Sequence, residues 1–108
     1  MLPQQDTIVF VHPDEILYCQ SDNCYTNIYL LNGKRILIVK SLTKFHKELP
    51  REFIRVNQSF LVNRVFVQCI DKKKKIIVLD CNKEVPFTIS LKELLLLLRT
   101  AAVQHAEN

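Results

Sequence analysis

The chain has 108 residues, 48% of them hydrophobic and 24% charged, with a formal net charge of +4. This length and hydrophobic content fit one folded domain and exclude a disordered chain. The first residues, MLPQQD, contain neither the basic nor the apolar part of a signal peptide, and no apolar run approaches the roughly 18 residues of a membrane span. We therefore expect a cytoplasmic protein.

Strand signals dominate the first part of the chain. Apolar and β-branched runs predict strands at residues 7–11, 16–21, 25–31 and 34–39. Pro13 stops the first run, and the short polar side chains of Asp22 and Asn23 predict a turn after the second. Asn32-Gly33 predicts a type I′ turn between the last two runs, because both residue types tolerate the positive φ angles that this turn requires. The last two runs therefore form a hairpin.

Helix and strand signals alternate after this hairpin. Ser41 can cap a short helix, which Pro50 ends. Three further strands are predicted at residues 65–70, 76–79 and 84–87. A last helix begins after Ser90, which forms a capping box with Glu93. The chain is therefore predicted to be one mostly β domain with two short helices.

The leucine run of the last helix predicts two different surfaces. At helical spacing, four leucines share a face that a core can take, namely Leu91, Leu94, Leu95 and Leu98. Leu96 and Leu97 point elsewhere and are expected to be exposed. Our hypothesis is that these two side chains pack against a second subunit or a neighbouring domain.

Signatures of catalysis and of metal binding are lacking. The three histidines are scattered, the four cysteines form neither a CxxC pair nor a zinc-like spacing, and no glycine-rich phosphate loop occurs. We therefore predict that the protein is not an enzyme and has no metal, cofactor or small-molecule substrate. The cysteines are expected to be reduced thiols.

Basic residues are concentrated in the middle of the chain. Residues 34–75 contain twelve of the fifteen lysines and arginines and three acids, a net of +9, whereas the rest of the chain sums to −5. One positive face of this kind is typical of proteins that bind phosphates, but also of a solvated basic surface. The four lysines at 72–75 leave the same two alternatives open, phosphate contacts or a solvated turn.

Residues 53–64, with the sequence FIRVNQSFLVNR, combine polar and apolar side chains in a pattern that suits a major-groove reader. Apolar anchors can hold the segment to a core while its amide, hydroxyl and guanidinium groups project outward. Asn57 and Gln58 can pair bidentately with adenine, and arginine can pair with guanine or phosphate. An ordinary surface loop can contain the same residue types. Two alternatives, base contacts or turn stabilisation, likewise apply to Asn23, Tyr25 and Thr26.

The segment resembles the signature of the LytTR DNA-binding domain, the output module of many bacterial response regulators. The signature positions are matched by Phe53, Arg55, Asn57, Gln58, Ser59, Val62 and Asn63. Three further stretches support the resemblance: DEILYCQSDNCYTNIYL, SLTKFHKELP and EVPFTISLKEL. The resemblance covers residues 6–98, which are therefore interpreted as the domain, and leaves residues 99–108 as a C-terminal tail.

The resemblance implies an elongated fold of small antiparallel sheets with one or two short helices, whose loops enter successive major grooves. Implied base contacts are Tyr25, Asn57, Gln58 and Ser90. Implied contacts with the DNA backbone are Asn23, Lys40, Ser41, Arg55, Ser59, Lys72 and Lys73. Two further residues, Thr26 and Arg64, are expected to contact the DNA backbone without being implied by the resemblance.

The chain departs from the family pattern at three places. Asn57 stands where the family usually has histidine, and Gln20 stands where glutamate is common. Ile89 and Ser90 occupy a place where a basic residue is frequent. Because Ser90 is also the predicted helix cap, its hydroxyl has two competing uses.

Two functions of different classes follow from these observations. The first is sequence-specific binding of double-stranded DNA in transcriptional control, as the output module of a response regulator or as a stand-alone regulator. The second is a protein-interaction or dimerisation module with weak, indiscriminate DNA affinity. RNA binding is third, because aromatic residues are few. The partners to be expected are duplex DNA, a second copy on repeated half-sites, and a receiver domain or membrane partner outside this chain.

Overall fold

The computed structural model describes residues 8–102 and contains eight strands and two helices within that range. The strands are β1 (Ile16–Asp22), β2 (Tyr25–Leu30), β3 (Arg35–Ile38), β4 (Phe53–Arg55), β5 (Phe60–Asn63), β6 (Val67–Asp71), β7 (Ile76–Leu79) and β8 (Glu84–Pro86). The helices are α1 (Leu42–Glu48) and α2 (Leu91–Ala102). The molecule measures 49 × 27 × 25 Å. The predicted elongated, mostly β fold with two helices is therefore confirmed.

The strands form two antiparallel sheets. The larger sheet has the order β3-β2-β1-β5-β4, and the smaller one has the order β6-β7-β8. β4 and β5 both come from the FIRVNQSFLVNR segment, which the sequence patterns had not divided into strands. Pairing of β5 with the central strand β1 brings this segment into the middle of the fold.

The larger sheet is covered on both faces, because successive side chains of a strand point to opposite sides. In β4, Phe53 packs in the cluster that α1 covers, whereas Ile54 packs in the cluster formed with the smaller sheet and α2. In β5, Leu61 packs in the cluster that α1 covers, and Val62 packs in the cluster formed with the smaller sheet and α2. These four side chains are buried, so they fix the position of the polar residues between them.

The predicted strand at residues 7–11 is wrong over its described part. Residues 8–11 belong to no strand, and Ile8 and Phe10 are more than four-fifths exposed. Thr7 lies outside the described residues. A β-branched run forms a strand only where another strand supplies hydrogen-bond partners, and neither edge of the two sheets pairs with this segment.

The turn between β2 and β3 differs from the predicted type I′ turn. Only Gly33 of the Asn32-Gly33 pair has a positive φ, at 90°. The amide of Gly33 donates to the carbonyl of Leu30 (3.0 Å), and the amide of Leu30 donates to the carbonyl of Lys34 (2.9 Å). This is the pattern of a three-residue loop, a type I turn that ends in a glycine bulge.

The helix α2 begins where predicted, but fewer of its leucines face the core than predicted. The Ser90 hydroxyl accepts from the Glu93 amide (3.0 Å), and Leu94 is fully buried. Leu95, predicted to face the core, is 42% exposed because it lies at the border of the buried face; Leu96 and Leu97 are exposed as predicted. The helix extends beyond residue 98, the predicted end of the domain. Within residues 8–102, no helix is long and apolar enough to span a membrane.

Candidate nucleic-acid interface

Three loops that carry predicted contact residues lie at the same end of the larger sheet. The antiparallel register pairs Asp22 with Tyr25 across the first turn, and Gln20 with Phe60 at the start of β5. Thr26 pairs with Ile38 near the end of β3. Loops 22–25, 39–41 and 56–59 are therefore neighbours. Direct hydrogen bonds join them: Ser21 N–H donates to the Ser59 carbonyl (2.9 Å), and the Thr26 hydroxyl to the Lys40 carbonyl (2.8 Å).

Two segments of the smaller sheet reach the same place. The amide of Thr88 donates to the Val56 carbonyl (2.9 Å), and the amide of Phe87 donates to the Lys75 carbonyl (3.1 Å). Two more segments, the turn 72–75 and residues 86–90, therefore lie at the same end of the molecule as loops 22–25, 39–41 and 56–59. We call these five segments the loop end. A small concavity of about 250 Å³ lies here, lined by Arg55, Asn57, Gln58, Thr88 and Ile89.

The lysine turn 72–75 supplies free positive charge to the loop end. Its shape is fixed by Asp71, whose carboxylate accepts from the Lys74 amide (3.0 Å), and by a positive φ of 55° at Lys75. All four lysines are exposed. The ion pair found within residues 8–102 involves a different lysine, Lys40, so none of the four lysine side chains of the turn is ion-paired with a carboxylate in that part of the chain.

Several predicted contact residues project from the loop end with polar groups available. Asn23, Tyr25, Gln58 and Ser59 are exposed. Asn23 adopts a positive φ of 56°, which asparagine tolerates and which closes the tight turn between β1 and β2. None of the hydrogen bonds within residues 8–102 uses the side-chain amide of Gln58. This amide can therefore make two new hydrogen bonds to a base edge.

The Asn57 side chain is engaged within the protein. Its Oδ1 accepts from the amides of Ser59 (2.7 Å) and Phe60 (2.9 Å), and its Nδ2 donates to the Pro86 carbonyl (2.7 Å). A bidentate contact with adenine needs both the oxygen and the nitrogen of the amide. In this conformation, Asn57 shapes its loop and joins it to β8 rather than presenting a free amide.

Arg55 is also engaged. Its Nε donates to the Asn57 carbonyl (2.9 Å), its Nη2 to the Gln58 carbonyl (2.6 Å) and its Nη1 to the Thr43 hydroxyl (3.2 Å). The guanidinium thus turns back over loop 56–59 and links it to the first turn of α1. Thr43 was not among the predicted site residues. No signal in the sequence shows that Thr43 lies near this loop.

The hydroxyl groups of the two serines at the helix starts can still donate a hydrogen bond. The Ser41 hydroxyl accepts from the Lys44 amide (3.2 Å) and caps α1, as Ser90 caps α2. A hydroxyl that accepts from an amide still has its own hydrogen to donate. Capping therefore leaves both serines able to donate to a phosphate or a base. Lys40 differs, because its half-exposed ammonium is paired with Glu48.

Two residues predicted to contact the DNA backbone are poorly placed for that role. Thr26 is fully buried, and its hydroxyl is used by the Lys40 carbonyl. Arg64 follows the far end of β5, away from loop 56–59, and its Nη1 donates to the Leu97 carbonyl of α2 (3.3 Å). The sequence pattern did not show at which end of β5 this arginine would lie. Both contacts stay predictions that this placement does not favour.

The described part of the chain contains one buried cysteine and three exposed ones. Burial raises the pKa of the Cys19 thiol to about 12, so this thiol is unreactive at neutral pH. Cys24, Cys69 and Cys81 are exposed and unbonded. No group of three His, Cys, Asp or Glu side chains within residues 8–102 is arranged to hold a metal ion.

Known proteins resemble this chain both in sequence family and in fold. The model of the LytTr DNA-binding domain family matches residues 6–98. The fold is similar to the solved LytTr DNA-binding domain of a Bacillus cereus protein described as a methyl-accepting/DNA response regulator. The TM-score is 0.75, and the match has 24% sequence identity over 90% of this chain and 93% of that one. No curated protein sequence is significantly similar. The chain belongs to the LytTr DNA-binding domain family.

Proposed function

We propose that the protein binds double-stranded DNA sequence-specifically through its loop end and thereby regulates transcription, either as the output module of a response regulator or as a stand-alone regulator. The observation that carries this proposal is the convergence on that end of four exposed lysines without an ion pair and of the Gln58 side-chain amide, which makes no hydrogen bond within residues 8–102. Family membership supports DNA binding itself. Selection of binding sites from random duplex DNA tests the proposal, and recovery of no preferred sequence would refute it.

The residues of the loop end divide into two roles. Lys72 and Lys73 supply phosphate contacts and most of the affinity. Ser41 and Ser59, which lie in loops next to that of Asn23, add hydroxyl donors. Gln58 and Tyr25 read base edges, because their side chains are exposed and carry polar groups. Ser90 remains a proposed third contact through its hydroxyl hydrogen. Lys40 contributes less to the affinity, because the carboxylate of Glu48 already pairs with its charge.

Replacing Lys72 with alanine is expected to weaken binding to all DNA sequences alike. One lost phosphate contact flattens the slope of log K against log salt by about one unit. Lys34→Ala is the matched control, because this exposed lysine lies in the β2–β3 turn at the opposite end of the sheet. Fluorescence anisotropy at several salt concentrations measures both slopes. Equal slopes for Lys72→Ala and the unchanged protein would contradict the assigned phosphate contact.

Modification of Cys24 is expected to weaken DNA binding. This exposed thiol lies in the turn between Asn23 and Tyr25. A bulky maleimide there, in a Cys69→Ser/Cys81→Ser variant, should reduce affinity by about tenfold or more, the effect of losing one good base contact. The buried Cys19 stays unlabelled because its pKa is about 12.

The control for this experiment is the same label on Cys81. Cys81 lies between β7 and β8 at the end of the smaller sheet opposite the lysine turn. In a Cys24→Ser/Cys69→Ser variant, its modification should leave affinity unchanged. Equal loss of binding from both labels would argue against the loop end as the DNA surface.

A dimerisation or protein-interaction surface is the second candidate function, and exposed leucines on α2 favour it. Leu95, Leu96 and Leu97 are 42%, 64% and 37% exposed. We expect Leu96→Glu or Leu97→Glu to dissociate a homodimer, because a buried glutamate at an apolar contact is costly. Analytical ultracentrifugation measures the change, with Leu31→Glu, an exposed leucine in the β2–β3 turn, as the control. Unchanged assembly in both α2 variants would eliminate this surface.

A further inference from the structure

We propose that Arg55 is a positioning residue that fixes loop 56–59 for DNA reading, and that it is not a phosphate contact. This inference rests on the proposed function and deepens it, because it assigns the presentation of Gln58 to a specific side chain. The resemblance to the family implied a backbone contact for Arg55. The hydrogen bonds of its guanidinium point to a different use.

The guanidinium holds two successive carbonyl groups of the loop. Nε and Nη2 donate to the carbonyls of Asn57 (2.9 Å) and Gln58 (2.6 Å). The planar fork of arginine can satisfy two acceptors at once, which the single ammonium of lysine cannot do in the same geometry. Because the Gln58 carbonyl is held, the direction in which the Gln58 side chain leaves the backbone is fixed as well.

The third hydrogen bond extends this support to a separate element. Nη1 donates to the Thr43 hydroxyl in the first turn of α1 (3.2 Å). The loop has little regular structure of its own, since it lies between the short strands β4 and β5. Arg55 thus orders the loop before DNA arrives, which removes an entropic cost from binding.

A phosphate would have to compete with these internal bonds. Arginine has five donor hydrogens, and three of them are used by the protein. Arg55 is also half-buried, whereas Lys72 and Lys73 are exposed and make no such bonds. Phosphate binding is therefore better suited to the lysines, and loop support to Arg55.

The test is the variant Arg55→Lys, which keeps the positive charge and loses the fork. We expect its salt slope to stay within experimental error of the unchanged protein, while its preference for the selected site over unrelated DNA falls about tenfold. In the free protein, the amides of Ser59 and Phe60 should exchange hydrogen about tenfold faster, the effect of losing one charge-assisted hydrogen bond. Lys73→Gln is the control. Its slope of log K against log salt should be flatter, whereas its preference for the selected site and the exchange rates of the Ser59 and Phe60 amides should be unchanged.

Thr43→Val provides a second variant that removes one acceptor and leaves Arg55 in place. It should show the same changes at smaller amplitude, which keeps the inference testable if Arg55→Lys does not fold. The inference is overturned if Arg55→Gln flattens the salt slope by about one unit with full preference retained, or if exchange at Ser59 and Phe60 is unaffected by Arg55→Lys. If the unchanged protein prefers no DNA sequence, the proposed function fails, and amide exchange alone decides the role of Arg55.

Discussion

Replacing Asn57 with alanine is expected to lower the free energy of unfolding by about 2 kcal/mol, because three hydrogen bonds are lost at partly exposed positions. Two of these bonds shape loop 56–59, and the third joins the two sheets through the Pro86 carbonyl. For a domain of this size, the melting temperature should fall by about 10 °C. Urea unfolding and thermal melts followed by circular dichroism measure the change.

The chain offers a close control for this substitution. Asn32 also accepts a hydrogen bond from a backbone amide two residues later, that of Lys34 (2.9 Å), but it lies in the turn at the opposite end of the larger sheet. Asn32→Ala should cost less than about 1 kcal/mol and leave DNA binding unchanged. Equal stability losses in the two variants would contradict the stabilising role assigned to the bridge between Asn57 and Pro86.

The second large effect is expected in DNA discrimination. Gln58→Ala should relax preference at one base position by about 1–3 kcal/mol, the usual contribution of a bidentate amide–adenine pair. Gln58 makes no side-chain hydrogen bond within residues 8–102, so its loss should leave the free energy of unfolding nearly unchanged. Competition binding against sites that differ at single positions identifies the affected base pair.

Gln68→Ala is a suitable reference for that measurement. Gln68 is exposed on β6, and its amide donates to the Asp80 carboxylate (3.1 Å) near the end of the smaller sheet away from the lysine turn. Its substitution should change no base preference. If Gln58→Ala retained full discrimination, glutamine would not be the reader, and the base contacts would have to come from Tyr25 or Ser90.

Local signals in the sequence predicted local structure well. The caps at Ser41 and Ser90 and the strands on either side of the lysine turn follow from residues that are close in the chain. Capping needs only a hydroxyl beside the first free amides of a helix. The prediction for residues 7–11 was wrong because a strand also needs a neighbour, and strand propensity contains no information about the free edges of a sheet.

The roles of individual site residues were harder to predict because they depend on distant backbone groups. Nothing in the sequence near Asn57 shows that the Pro86 carbonyl lies 2.7 Å from its amide. Likewise, whether Arg64 faces the loop end depends on the direction of β5 and on the position of α2. Residue type indicates which side chains have the chemistry to bind DNA, whereas only the tertiary structure shows which of them already make hydrogen bonds within the protein.

The connection between the two sheets has a consequence for the partner. The lysine turn and Gln58 belong to different sheets, which are joined by the bonds Thr88–Val56 and Asn57–Pro86. Their separation is therefore set by the protein, and a duplex whose straight form does not match it has to bend or twist to touch both. Flexible pyrimidine–purine steps between the contacted positions would lower the cost of that deformation. Part of the selectivity would then come from base pairs that no side chain reaches.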